Sequence, residues 1–168
     1  MKYFPSAQIQ TRGGIGVGRP QTRGFQGSVV GNVLWDGFYS VSTTAIPMYM
    51  FEGLQIQNGL AGSLYGGQDP ADIFNYTRKR PIPFSNTFWA DYKSRLNFGV
   101  GWDTSYRFEY VGYRGVFYKS DGAKQAKNSD YERNLASPGL DFYLTENFTI
   151  ETNFSYYKHK MLGIPGGF

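Results

Sequence analysis

The 168-residue chain has no cysteine and a single histidine, His159. The first absence excludes disulfides, thiolate nucleophiles and cysteine-bound zinc, and the second removes most histidine-based metal sites and catalytic triads. Little catalytic chemistry remains, so a non-enzymatic role with no resident cofactor or metal is expected. Charged residues make up only 18% of the chain, with 17 Lys and Arg against 13 Asp and Glu for a net charge of +4. No basic run exceeds the "TRKR" of Thr77–Arg80, so this excess reads as a solvated surface and predicts no nucleic-acid partner. No apolar run approaches the ~18 residues of a membrane helix. The opening "MKYFPSAQIQ" lacks the apolar core of a secretory signal. Taken alone, those two features point to a cytosolic product.

Aromatic residues and glycine are abundant instead: 14 Tyr, 14 Phe and 22 Gly. With few long aliphatics beside them, these favour strands separated by turns over helix bundles, and predict a mainly β chain with a small α+β part. Two textures meet at "KRPIPFS", Lys79–Ser85. Before it, "NVLWDGFY" reads as a strand broken by an Asp-Gly turn. "PMYMFEGLQIQNG" reads as a helical turn opened by Pro47, then a strand from Gly53 to Gln57; "LAGSLYGGQDP" as a small-residue helical turn; and "ADIFNYTRKRP" as a strand ended by Pro81. The glycines of Gly13–Gly37 do not sit between a clear strand and a helix, which argues for tight turns over a phosphate-binding loop.

After Ser85 the chain alternates with period 2. Leu96, Phe98, Val100 and Trp102 share one face, with Arg95, Asn97, Gly99, Gly101 and Asp103 on the other. Ala136, Leu140, Phe142 and Leu144 repeat the pattern, with Pro138 as its one defect; Phe148, Ile150, Phe154 and Tyr156 do so again. Weaker versions run through Phe88, Ala90 and Tyr92 and through Val111, Tyr113 and Phe117. About five strands result, joined by a long polar loop around Asp121-Gly122 and a tight return at "TEN", Thr145–Asn147. Such strands, with unequal connections, fit a transmembrane β-barrel wall. Alternation by itself favours a soluble sheet with one wet face.

"TRGF" at Thr22–Phe25, "NVLWDG" at Asn32–Gly37 and the run from Pro47 to Pro81, "PMYMFEGLQIQNGLAGSLYGGQDPADIFNYTRKRP", resemble the plug domain of TonB-dependent siderophore receptors of the Gram-negative outer membrane. "YERNLASPGLDFYLTENFTIETNFSYYKHK" resembles the early barrel strands of the same receptors. Leu60, Ala71-Asp72 and Gly53 depart from the residue types common in that plug. The resemblance implies that residues 1–84 are the C-terminal part of a plug and residues 85–168 the first strands of a 22-stranded transmembrane barrel. At about ten residues per strand, 22 strands need roughly 220 residues for the crossing parts alone. A fragment of a receptor, non-functional by itself, is therefore expected, with open sheet edges that are unstable in lipid.

The implied function is binding of a ferric siderophore and its energy-coupled uptake across the outer membrane, with a TonB-type inner-membrane complex and outer-membrane lipid as partners and iron present only within the ligand. Plug arginines of the family pair with barrel carboxylates. This nominates Arg23, Arg78 and Arg80, with Glu52 and Asp36 as acidic candidates, since a buried unpaired charge costs several kcal/mol. Trp35, Phe38 and Tyr39 offer flat apolar contact to a siderophore. A lone His159 makes a poor iron site. Two other readings remain: a small self-contained outer-membrane barrel, which needs eight strands, and a soluble β-rich carbohydrate-binding module using exposed aromatics.

Overall fold

The computed structural model describes residues 7–11, 18–22, 25–26, 32–39, 47–57, 73–93, 97–123 and 130–161. The chain forms two compact units, Met1–Arg78 and Lys79–Phe168.

The first unit contains a three-stranded antiparallel sheet of β1 (Ala7–Thr11), β2 (Gly18–Thr22) and β3 (Phe25–Gln26), and a four-stranded sheet in the order β5-β4-β7-β6. In the latter, β4 (Val33–Trp35) and β5 (Phe38–Tyr39) form a hairpin, β6 (Phe51–Gln57) lies antiparallel to β7 (Ile73–Arg78), and β4 runs parallel to β7. The hairpin turn is Asp36-Gly37, with φ of 50° and 83°. Left-handed geometry at both central positions matches the strand twist, which is why Asp-Gly is found there. A short 3-10 turn, Met48–Met50, follows Pro47 and leads into β6. Val33, Leu34, Met50, Phe51, Ile73, Phe74 and Tyr76 are buried and form the core of this unit. The helical turn expected at Leu60–Pro70 lies outside the described residues.

The second unit is one antiparallel sheet. Its strands are β8 (Phe84–Lys93), β9 (Asn97–Arg107), β10 (Val111–Ala123), β11 (Asp130–Thr145), β12 (Phe148–Asn153) and β13 (Tyr156–Met161). The order is β12-β11-β10-β9-β8, with β13 also on β11. β12 and β13 are two halves of one row, parted at Phe154-Ser155, where the Phe154 N–H donates to the Pro138 carbonyl at 3.0 Å. The N–H that a residue here would offer points to the same side as its carbonyl, and proline has none. The defect in the sequence pattern is thus the break in the sheet. Glu146-Asn147 makes the tight return from β11 to β12, as "TEN" predicts. Asp121-Gly122 differs from expectation. It is no turn but the continuation of β10, with Asp121 opposite Glu132 and Gly122 opposite Tyr131. Gly122 passes so close to Asn97 that a β-carbon would strike its side chain.

No helix among the described residues is long and apolar enough to cross a membrane, which leaves open a crossing by strands.

Candidate functional site: the two faces of the sheet

Register places the side chains of the second unit in rows across the strands. Phe88, Trp102, Phe117, Ala136 and Tyr156 form one row. Phe84, Tyr106, Tyr113 and Leu140 form another, and Phe142 pairs with Ile150. These are the apolar halves of the alternation, and they face outward: Phe88 is 70% exposed, Phe84 71% and Trp102 38%. Rings stack along the row, with centroids 5.4 Å apart for Phe88 and Trp102 and 5.6 Å for Trp102 and Phe117. From Phe98 to Tyr106 the apolar stripe of β9 runs ~27 Å at ~3.4 Å per residue.

The opposite face carries the polar half, and it is buried: Asn97, Asp103, Ser105, Ser120 and Asp141 are among the most enclosed residues of the molecule, beside Val116, Tyr118, Tyr131 and Leu135 on the same face. Across this face lies the segment Lys79–Ile82. Lys79 Nζ donates to Asp103 Oδ2 at 2.7 Å, and Arg114 approaches the same carboxylate at 2.7 Å. Arg80 lies 3.6 Å from Asp141 and forms an ion pair with Glu151. Asp141 and Glu151 are direct cross-strand neighbours. Two carboxylates so placed repel each other, and the guanidinium between them offsets that repulsion. The Ile82 N–H donates to Ser105 Oγ at 2.7 Å, whose own hydroxyl returns a bond to the Ile82 carbonyl at 3.1 Å. Pro81 rests over Gly112, where a β-carbon would lie 2.6 Å from the proline ring. The segment "KRPI" is therefore tied to the wall by charge at its first two residues, by packing at the third and by backbone at the fourth.

Arg80 thus meets carboxylates of the second unit, to which it itself belongs. Arg78 is engaged within the first unit, where its side chain is 2.5 Å from Asp36 and its N–H donates to Asp36 Oδ1 at 2.8 Å. Asp36 is both turn residue and ion-pair partner. Glu52 is exposed on β6 and makes no ion pair among the described residues. Arg23 lies outside the described residues. Of the aromatic candidates, half-buried Trp35 packs edge-on against Phe51 at 5.2 Å, whereas Phe38 and Tyr39 are 76% and 48% exposed on the hairpin. Asn75 holds that hairpin, accepting a hydrogen bond from the Gly37 N–H at 2.9 Å. His159 is on β13 with its ring 6.2 Å from that of Tyr157. Lys79, Arg114, Asp103 and Asp141 were not singled out from the sequence as site residues. The signal available was the placing of the two aspartates on the polar face of alternating strands.

Comparison with known proteins adds to this geometry. Residues 1–71 match the family model of the TonB-dependent receptor plug domain. No curated protein matches the chain. Among solved structures, the pyoverdine outer-membrane receptor FpvA of Pseudomonas aeruginosa PAO1, bound to pyoverdine, superposes with a TM-score of 0.81 at 18% identity, over 95% of this chain and 24% of that one. The ferric-catecholate import receptor Fiu of E. coli K12 gives 0.73 at 16% identity, over 85% and 22%. The ferric preacinetobactin receptor BauA of Acinetobacter baumannii gives 0.69 at 23% identity, over 88% and 23%. The chain spans about a quarter of the length of these receptors. At such identities the likeness is one of fold.

Proposed function

We propose a part in ferric-siderophore uptake across the outer membrane for this chain, whose residues 1–71 match the model of the TonB-dependent receptor plug domain and whose later strands are folded like those of siderophore receptors. The observation that carries this reading is the inverted polarity of the second unit, with Phe88, Trp102 and Phe142 outward and Asp103, Ser105 and Asp141 enclosed. A soluble sheet turns its apolar face to a core. A barrel wall turns it to lipid and keeps polar groups within. At the ~35–45° tilt of barrel strands the apolar stripe of β9 covers about 19–22 Å of height, most of the ~25 Å band of outer-membrane barrels. The same polarity disfavours a soluble carbohydrate-binding module.

In this reading the first unit serves as plug, and Phe38 and Tyr39 offer aromatic contact to the siderophore. Lys79 and Arg80 hold the plug's exit segment to the wall through Asp103, Asp141 and Glu151. Transport then rests on binding and on work supplied by a TonB-type partner, with no bond made or broken by the chain. The test is uptake of radioactive ferric siderophores by iron-starved cells with and without the gene that encodes these residues, in the presence and absence of a working TonB complex. Loss of uptake in either deletion is expected. Unchanged uptake of every siderophore class after deletion of the gene, with the protein absent from outer-membrane fractions of the parent cells, would overturn the reading.

A further inference from the structure

The outward face of the second unit is not uniformly apolar. Above the row of Phe88, Trp102, Phe117, Ala136 and Tyr156 comes Val100, Lys119, Asn134 and Lys158, in register across four strands. This row holds two cations and no acid. Beyond it lie Phe98, Asp121, Glu132 and Lys160. Glu132 is surrounded by Lys119, Lys158 and Lys160, and its carboxylate accepts a 2.7 Å hydrogen bond from Asn134. The five charged residues of the two rows sum to one net positive charge, with the two lysines on the side facing the apolar stripe.

A groove of about 480 Å³ opens where these rows meet. Ala136 leaves its floor low, Trp102 and Phe117 form one wall, Tyr156 the other, and Lys119 and Asn134 close the polar end. An apolar channel with a cationic mouth has the polarity of a phosphorylated lipid. Lys119 and Lys158 stand two strands apart, about 9.6 Å between backbones. The four-carbon stems of two lysines close that span onto one phosphate. Free phosphate would use the mouth and leave the apolar channel empty, and a neutral lipid would use the channel and leave the two lysines with Glu132 as their shared counter-charge, one negative charge against two positive.

Resting on the reading of this sheet as a membrane wall, we propose that the groove seats an acyl chain of a phosphorylated membrane lipid whose phosphate is bound between Lys119 and Lys158. The lipid is a specific ligand of the wall, set where the apolar stripe ends on β10, β11 and β13.

Tryptophan fluorescence in vesicles tests this. Trp102 lines the groove, so bromine on an acyl chain quenches it at contact. The protein is reconstituted in vesicles containing dibrominated phosphatidylglycerol or dibrominated phosphatidylcholine, and the two quenching constants are compared. A preference for the anionic lipid is expected. It should fall about fivefold with each of Lys119→Gln and Lys158→Gln, since a lysine near an anionic headgroup contributes about that factor. Glu132→Gln should raise the preference and Trp102→Phe should remove the quenching. If one lysine variant fails to fold, the other and Glu132→Gln still decide. Equal quenching by the two lipids in the unaltered protein overturns the headgroup site and leaves the wall reading standing. Absence of quenching by both overturns the wall reading as well.

Discussion

Phe88 and Trp102 lie ring on ring, 5° from parallel, on the exposed side of a sheet whose other side encloses its charges. In water such a pair would contribute about 0.5–1.5 kcal/mol and leave much apolar area exposed. Facing lipid, the same rings sit in the solvent that suits them.

Trp102 is therefore the position at which the identity of the surrounding solvent can be read directly. A lysine at a lipid-facing midplane position costs about 2–4 kcal/mol. Trp102→Lys should lower the stability of the protein refolded in vesicles by about that amount, while Trp102→Phe lowers it by under about 1 kcal/mol. Denaturant titration followed by gel mobility of unheated samples checks this, and equal midpoints for the two variants would contradict a lipid-facing role.

Asp103 is shared by Lys79 and Arg114, and its neutralisation leaves two partly enclosed cations facing one another. Breaking such a pair typically costs about 3–5 kcal/mol. Asp103→Asn should be destabilising by an amount near the lower end, because Lys79 is only partly enclosed, and addition of Lys79→Gln should restore part of the loss. A double-mutant cycle in denaturant measures the coupling. Additive losses would show that the segment Lys79–Ile82 is held by something other than this charge cluster.

Burial pushes the Tyr76 phenol in the core of the first unit from 10.0 up to about 12. The folded state thus holds its proton when the unfolded state has released it. The stabilisation is complete below pH 10 and is lost as pH rises from 10 to about 12. In Tyr76→Phe that slope should vanish. Denaturant midpoints of the two proteins between pH 9 and 12, with phenolate absorbance as a second readout, test it; parallel curves would place Tyr76 in contact with water.

Phe38 and Tyr39 stand exposed on a hairpin fixed by the turn at Asp36-Gly37 and by Asn75. Alanine at either position should leave thermal stability nearly unchanged and weaken ferric-siderophore binding by up to about tenfold, the worth of one lost aromatic contact. Intrinsic fluorescence titration with a ferric siderophore measures this. Unchanged affinity in the double variant would remove the hairpin from the ligand site.

Much of this architecture was legible beforehand. The Asp36-Gly37 turn, the 3-10 turn after Pro47, the tight return before Phe148 and the defect that Pro138 makes in the alternation all follow from local steric rules that act within a few residues. Asp121-Gly122 was misread because a turn dipeptide is also accepted inside a strand when a neighbour, here Asn97, comes too close for a side chain. The partners of the charged candidates were not legible. Arg78 and Arg80 are two residues apart, yet one engages Asp36 within the first unit and the other Asp141 and Glu151 on the wall. Such choices depend on residues far away in the chain, and no local spacing encodes them.

The sequence by itself determined where strands run, where they turn and that each strand of the second unit has an apolar and a polar side, because side-chain alternation is a property of the extended backbone. Which side would be enclosed was decided by the tertiary structure. Pairing aligned Phe88, Trp102 and Phe117 into one continuous outer row and gathered Asp103, Ser105 and Asp141 around the segment Lys79–Ile82. Alternation is symmetric under exchange of the two faces; only long-range contacts break that symmetry.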